Sequence, residues 1–519
     1  MRGAFAVAVA TVLVTASGCG SSGGSGPENS NGPGSSSGGN ASSSSGSGGQ
    51  SGGGPATASS SSSGGAGTSS GGPSGGSSGA TGGSSSSGGA PGGSSGGGAR
   101  ADAGTAGGDG GGPRESSGGG DAGSVVPPPV GDGGLGGGVE NSGASCMVPA
   151  LPSFSALTSN AKLPDPFKSI SGTEITKKSD WTCRRAEVSA ELQQFELGTK
   201  PPAPSSTTGS VSGNNIVVNV SNGGSSISFT ATVTKPTGGT APFPALIAIG
   251  GTSLNTQSLS QKGVAVINFP NDDVAAQQDG TSRGKGKFYT LYGANHSAGA
   301  MMAWAWGVSR LIDVLQATPS AQIDTTRLAV SGCSRNGKGA LVVGAFDERI
   351  GLVIPQESGS GGAGSWRVSD SILKGGGNTQ TLGEIIGENV WFSTAFNQFN
   401  NNTTKLPFDH HMLEAMVAPR ALLVIENNID WLGPQSTFTD TVAGNTVWQA
   451  LGITDRMGLS QTTAHNHCQF PASEQPDVDA FVDKFLVGGG TANTAFLKTQ
   501  LNFTYDKATW QDWSVPALQ

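Results

Sequence analysis

Apolar positions in the C-terminal two thirds of the chain follow two periods. Ile216–Val220 and Ser226–Lys235 alternate apolar with polar residues and are joined by Asn222-Gly223-Gly224, which predicts a β-hairpin with one buried face. Phe243–Ile249 (FPALIAI), Gly263–Phe269 (GVAVINF), Arg327–Ser331, Ile350–Pro355 and Ala421–Ile425 (ALLVI) are instead short continuous apolar runs. Runs of that length predict strands buried on both faces. Helical spacing appears over Ser297–Leu315, carrying Met301, Trp304, Trp306 and Leu311, and again over Gly337–Phe346 and Val478–Leu486. Residues 146–205 are rich in Pro and Lys and predict an irregular wrap with one short helix, Ala186–Glu196. Buried strands alternating with helices give an α/β class: a mostly parallel sheet with helices on both faces.

No such pattern precedes residue 146. Residues 20–145 hold 48 of the chain's 88 glycines and contain no Phe, Trp, Tyr or Lys. Such a stretch cannot bury enough apolar surface to offset its ordering entropy, so it reads as a disordered Gly/Ser-rich linker. As a random coil it would reach about 60–70 Å. The foldable body is expected at 146–519. Residues 1–19 read as a signal peptide: Arg2, an apolar run from Phe5 to Ala16, then Ser17-Gly18-Cys19. The run is too short for a permanent membrane span. It resembles a bacterial lipoprotein signal, with Ala16 where leucine is usual. That likeness implies lipidation of Cys19 and a tether to the cell envelope; ordinary cleavage nearby, giving a secreted protein, is the alternative.

The charge pattern narrows the function. Of 28 basic and 36 acidic residues, 25 and 29 lie in 146–519, with no basic run. A mildly acidic body argues against nucleic acid as a partner. Setting Cys19 aside, four cysteines remain in an exported chain. No C-x-x-C spacing suggests a metal site. Of three pairings, Cys146–Cys183 and Cys333–Cys468 are expected, the second for a chemical reason.

That reason begins at Val330-Ser331-Gly332-Cys333-Ser334-Arg335-Asn336-Gly337-Lys338-Gly339-Ala340. A buried strand runs through a glycine-flanked serine into a small-residue helix, the build of a nucleophile elbow. The usual pattern is G-x-S-x-G; here Asn336 holds the last position and Gly337 follows it. Ser334 needs a base, and the late histidines are His465 and His467, in AHNHCQF. Chemistry alone does not choose between them. Cys333 adjoins Ser334 and Cys468 adjoins His467, so a bridge between them would hold nucleophile and base together, which favours His467. The acid that orients the imidazole is Glu357, after the Ile350–Pro355 strand, or Asp430, after ALLVI.

Taken together these residues resemble the glucuronoyl esterases, carbohydrate esterase family 15. The likeness runs through KLPDPF (162–167), NFPNDD (268–273), GKGKFY (284–289), NHSAGAM (295–301), AWAWGVSRLID (303–313), GCSRNGKGA (332–340), PQESG (355–359), LPFDHH (406–411), NIDWLGPQS (428–436) and HCQFP (467–471). It implies an α/β-hydrolase fold and a Ser334–Glu357–His467 triad, with Arg335 at the oxyanion. It also implies uronate binding by Lys338, Gln380, Glu388 and Trp431. The implied reaction is hydrolysis of the ester joining lignin alcohols to glucuronic or 4-O-methylglucuronic acid on glucuronoxylan. No cofactor is implied, and the body is expected to be a monomer. In two respects the chain departs from the family. Ser365 and Thr437 stand where a third disulfide is common, implying looser loops there. Some bacterial members place the acid after a later strand, which is the Asp430 alternative. Rival functions are another carbohydrate esterase, acting on acetyl or feruloyl groups, and an inactive surface-tethered glycan binder. Lys338 and Trp431 speak against the first, and an intact triad against the second.

Overall fold

The computed structural model describes Gly136 and residues 138–519; the signal segment, Cys19 and nearly all of the Gly/Ser stretch lie outside them. Ten strands form one sheet: β1 (Ser206–Ser212), β2 (Asn215–Asn222), β3 (Ser225–Thr234), β4 (Phe243–Ile249), β5 (Ala265–Phe269), β6 (Ile323–Cys333), β7 (Ile350–Gln356), β8 (Ala421–Glu426), β9 (Met457–Gln461) and β10 (Phe496–Thr499). Their order is β1-β2-β3-β5-β4-β6-β7-β8-β9-β10. β1, β2 and β3 are antiparallel, and β3 meets β5 antiparallel. From β5 to β10 every pairing is parallel. This is the expected α/β-hydrolase arrangement.

Local chemistry explains the elements. Gly223 and Gly224, at φ 55° and 85°, make the two-residue turn between Asn222 and Ser225. Only residues at ease with positive φ close a hairpin so tightly. In the central strands side chains alternate between two buried layers. Ala245, Ile247 and Ile249 of β4 join one apolar cluster, while Leu246 and Ala248 join the other. A strand covered on both faces leaves no polar side, so β4 reads as an unbroken apolar run. The helix Ala300–Ala317 lies in the larger layer with Trp304 and Trp306 fully buried.

Several elements differ from expectation. The predicted Ala186–Glu196 helix is Asp180–Leu192, continued by a wider turn over Gln193–Leu197. β1, β9, β10 and the long helix Pro434–Leu451 carry no apolar period strong enough to predict them. Contacts with the body also begin before residue 146. Glu140 pairs with Lys200 at 2.6 Å and Arg310 at 2.5 Å, with Arg349 at 3.8 Å. Burial opposes its charge, but Lys200 and Arg310 outweigh that and hold the carboxyl below its usual range. Cys146 is disulfide-bonded to Cys183, fastening this segment to the first helix.

Candidate active site

Ser334 stands between β6 and the helix Arg335–Phe346, at φ 60° and ψ −126°. That backbone is strained for a residue with a Cβ. It is the conformation a sharp strand-to-helix turn imposes on a nucleophile. Two glycines admit the turn. A Cβ on Gly332 would lie 2.5 Å from the Asn336 carbonyl oxygen, and one on Gly337 2.6 Å from that of Gln356. The second glycine therefore comes one place late because residue 337, not 336, meets the end of β7. Asn336 turns toward the loops after β4 and β5, where its Oδ1 accepts from Asn271 Nδ2 and Gln277 Nε2, each at 3.2 Å.

Glu357 follows β7 and is fully buried. Its Oε2 accepts from His467 Nδ1 at 2.8 Å, Cys468 N at 2.7 Å and Asn427 Nδ2 at 2.8 Å. Three convergent donors fix the carboxylate, and the carboxylate fixes the imidazole. His467 Nε2 is buried with no hydrogen-bond partner in the protein. It is the ring atom left to take a hydroxyl proton. Cys333 and Cys468 are bonded to each other, with Cα atoms 5.7 Å apart. Ligand-type atoms of Cys333, Glu357, His467 and Cys468 all lie within 4.8 Å of one another. With both sulfurs in a disulfide no thiolate is on offer, so this cluster is a staple between the neighbours of Ser334 and His467 rather than a metal site.

The two histidines separate by distance. His467 makes the short bond to Glu357, whereas His465 Nδ1 lies 3.5 Å from the other oxygen, Oε1. Asp430 is exposed at the start of the turn Asp430–Leu432. Glu357 is thus the carboxylate on the imidazole.

The other predicted positions gather around this centre. Arg335 opens the helix, its guanidinium carbon 5.3 Å above the Trp391 ring. Such stacking steadies a cation without neutralising it. Lys338 is buried, not solvated, and Nζ donates to the carbonyl oxygens of Ser358 at 2.5 Å and Ser360 at 2.6 Å. Burial pulls its pKa down to about 8, against the pull of Glu426 and Glu388. Two of its three donors hold the loop after Glu357, leaving one for a ligand. Gln380 N donates to the Trp431 carbonyl at 2.8 Å, and Gln380 Nε2 to Glu388 Oε2 at 3.2 Å. Trp431 is the only exposed tryptophan among the described residues, and its ring meets that of His467 edge-on at 5.0 Å.

Known proteins are similar to this chain in sequence and in fold. Residues 218–452 match the family model for glucuronyl esterase of fungi. A 4-O-methyl-glucuronoyl methylesterase from Hypocrea jecorina is 54% identical over 376 residues, covering 72% of this chain and 80% of the relative. The chain belongs to the glucuronoyl esterase family. The solved glucuronoyl esterase catalytic domain from Hypocrea jecorina superposes with a TM-score of 0.69 at 53% identity, covering 72% of this chain and all of that one. A serine-to-alanine mutant glucuronoyl esterase from Sporotrichum thermophile, in complex with methyl 4-O-methyl-beta-D-glucopyranuronate, gives 0.68 at 47% identity, with the same coverage.

The 365 and 437 region, where looser loops were expected, is tied by hydrogen bonds. Ser436 Oγ donates to the Ser365 carbonyl at 2.8 Å, and Thr437 Oγ1 to Glu426 Oε2 at 3.1 Å. Sequence reasoning missed Asn427, Trp391 and Glu426. Asn427 follows the ALLVIE strand, and a polar pair at a strand end was a usable signal. Trp391 lies in a segment with no apolar period.

Proposed function

We propose that the chain hydrolyses the ester between lignin alcohols and the glucuronic or 4-O-methylglucuronic acid groups of glucuronoxylan, by acyl transfer through Ser334. The observation that carries this is the pairing of His467 Nδ1 with Glu357 Oε2, leaving a buried, unpartnered Nε2 on a ring stapled beside Ser334. His467 takes the Ser334 proton as Oγ attacks the uronoyl carbonyl. Arg335 stabilises the oxyanion through its backbone N–H and its guanidinium. The tetrahedral intermediate collapses, and His467 protonates the departing alcohol. Water, deprotonated by the same ring, attacks the acyl-enzyme and frees the uronic acid. Glu357 holds the imidazole and balances its charge throughout. Lys338, Gln380, Glu388 and Trp431 supply polar and stacking contacts to the sugar. A site built to pair sugar hydroxyls rejects epimers strongly, because unmatched polar groups stay buried and unpaired.

The test is turnover of benzyl glucuronate beside its galacturonate epimer and acetyl and feruloyl esters. Preference for the glucuronate, abolished by Ser334→Ala, is expected. Activity of Ser334→Ala within tenfold of wild type removes the nucleophile assignment, and preference for acetyl or feruloyl esters removes the substrate.

The two disulfides fit an oxidising compartment, in line with export. The proposal extends to a lipid on Cys19. A Cys19→Ala chain is then expected in the soluble rather than the membrane fraction; equal partitioning sinks the anchor.

A further inference from the structure

His465 is the one histidine near the triad that the mechanism above does not use. It lies in the loop after β9, in Ala464-His465-Asn466-His467-Cys468. Ala464 and Cys468 both have positive φ, 66° and 60°. A loop that accepts such strain at two residues with side chains is held by what lies between them. What lies between them is two imidazoles on one carboxylate. The His465 side chain is only 5% exposed. Its Nδ1 sits 3.2 Å from the Asn466 carbonyl oxygen and 3.5 Å from Glu357 Oε1. A carbonyl oxygen cannot donate, so Nδ1 carries a proton, given to that carbonyl with the carboxylate oxygen 3.5 Å away.

The two oxygens of Glu357 are served unequally. Oε2 receives three close donors, including His467. Oε1 receives Gln356 Nε2 at 3.3 Å, with His465 Nδ1 just beyond. We infer that His465 is a positioning residue for the triad: its Nδ1–H holds Glu357 Oε1, and so sets the rotation of the carboxylate that aims His467. Without it, Oε1 keeps Gln356 Nε2 at 3.3 Å while Oε2 keeps its three donors, so the carboxylate is held mainly from one side. The ionisable groups around this carboxylate include Glu426 from β8, itself facing Lys338, and Glu474 ahead of the helix Gln475–Val482, with Asp477 behind Glu474. Losing the Nδ1–H takes a donor from this crowded carboxylate, and should show in the pH dependence of turnover as well as in its size.

This inference rests on the proposed esterase reading and is tested with the full chain on benzyl glucuronate. His465→Ala is expected to lower kcat about tenfold with KM within twofold. The acid limb of kcat/KM should shift as well. His465→Asn offers an amide N–H close to where Nδ1 stands, and should recover kcat to within threefold of wild type with the limb restored. An unmoved limb in His465→Ala, or His465→Asn impaired as severely as His465→Ala, overturns the inference. If His465→Ala does not fold, a wild-type limb and a tenfold loss in His465→Asn do the same. An inactive wild type would instead overturn the substrate reading, so the two failures are distinct.

Discussion

The Cα of Gly337 faces the carbonyl oxygen of Gln356 so closely that a Cβ would stand 2.6 Å from it. The same carbonyl accepts the Ser334 N–H at 3.0 Å. One oxygen thus fixes both the depth of the helix and the height of the nucleophile. Gly337→Ala must push the helix start off β7, at a cost of about 1–3 kcal/mol for overpacking. Turnover is expected to fall at least a hundredfold, since small displacements of a nucleophile are that costly. Thermal unfolding and benzyl glucuronate turnover on one preparation check it; near-wild-type turnover would show the elbow to be softer than its packing.

Glu357 and Asp430 predict opposite outcomes. Glu357→Gln keeps the shape but places no charge against the imidazolium, and should lower kcat by about 10³- to 10⁴-fold, as loss of a triad acid does. Asp430→Asn should leave kcat within twofold. A large loss in Asp430→Asn with a mild one in Glu357→Gln would move the acid to the later strand.

Stability should fall as pH rises toward the alkaline side. Burial, reinforced by the Glu357 charge, pushes the carboxyls of both Glu426 and Glu474 up to about 8. Their folded pKa values lie above the ordinary 4.5, so from about 4.5 to 8 the folded state binds more protons than the unfolded state. Their contribution is therefore full below that window and lost on rising through it. The thermal midpoint is expected to decline from pH 5 to pH 8, and Glu426→Gln to decline less steeply. Parallel slopes in the two proteins would show that Glu426 titrates as an ordinary carboxyl.

The two disulfides should separate stability from turnover. Cys333–Cys468 spans 135 residues and Cys146–Cys183 spans 37. Removing either should cost about 2–4 kcal/mol, the longer loop more. Only Cys333→Ala with Cys468→Ala should also lower kcat, because only that pair joins the neighbours of Ser334 and His467. Equal kcat in the two double variants would make both bridges purely structural.

How much was legible depended on whether burial left a period in the sequence. β4 was read to the residue because both faces are covered and every position is apolar. β1, with sequence STTGSVS, sits at the sheet edge, where half-exposed Ser and Thr carry no alternation. The helix Pro434–Leu451 is rich in Thr, Ser, Gly and Asn, residues that helices accept only when packing rewards them. At the site, Ser334 was read from the strand-to-helix pattern around it, and His467 was preferred through the cysteine beside it. His465 was set aside as the rival base, since nothing in the sequence says that a second ring stands 3.5 Å from the same carboxylate. The burial of Lys338 left no local trace in the sequence, because it comes from the loop at Ser358–Ser360, remote along the chain.

Glu140 has a directional consequence. Its partner Arg349 stands just before β7, and Glu357 just after it. Seven residues of strand separate the two by roughly 20–25 Å. The polypeptide thus joins the body at one pole, while the reaction opens at the other. Anything attached at Glu140 would therefore sit across the sheet from Ser334 and His467, clear of an incoming sugar.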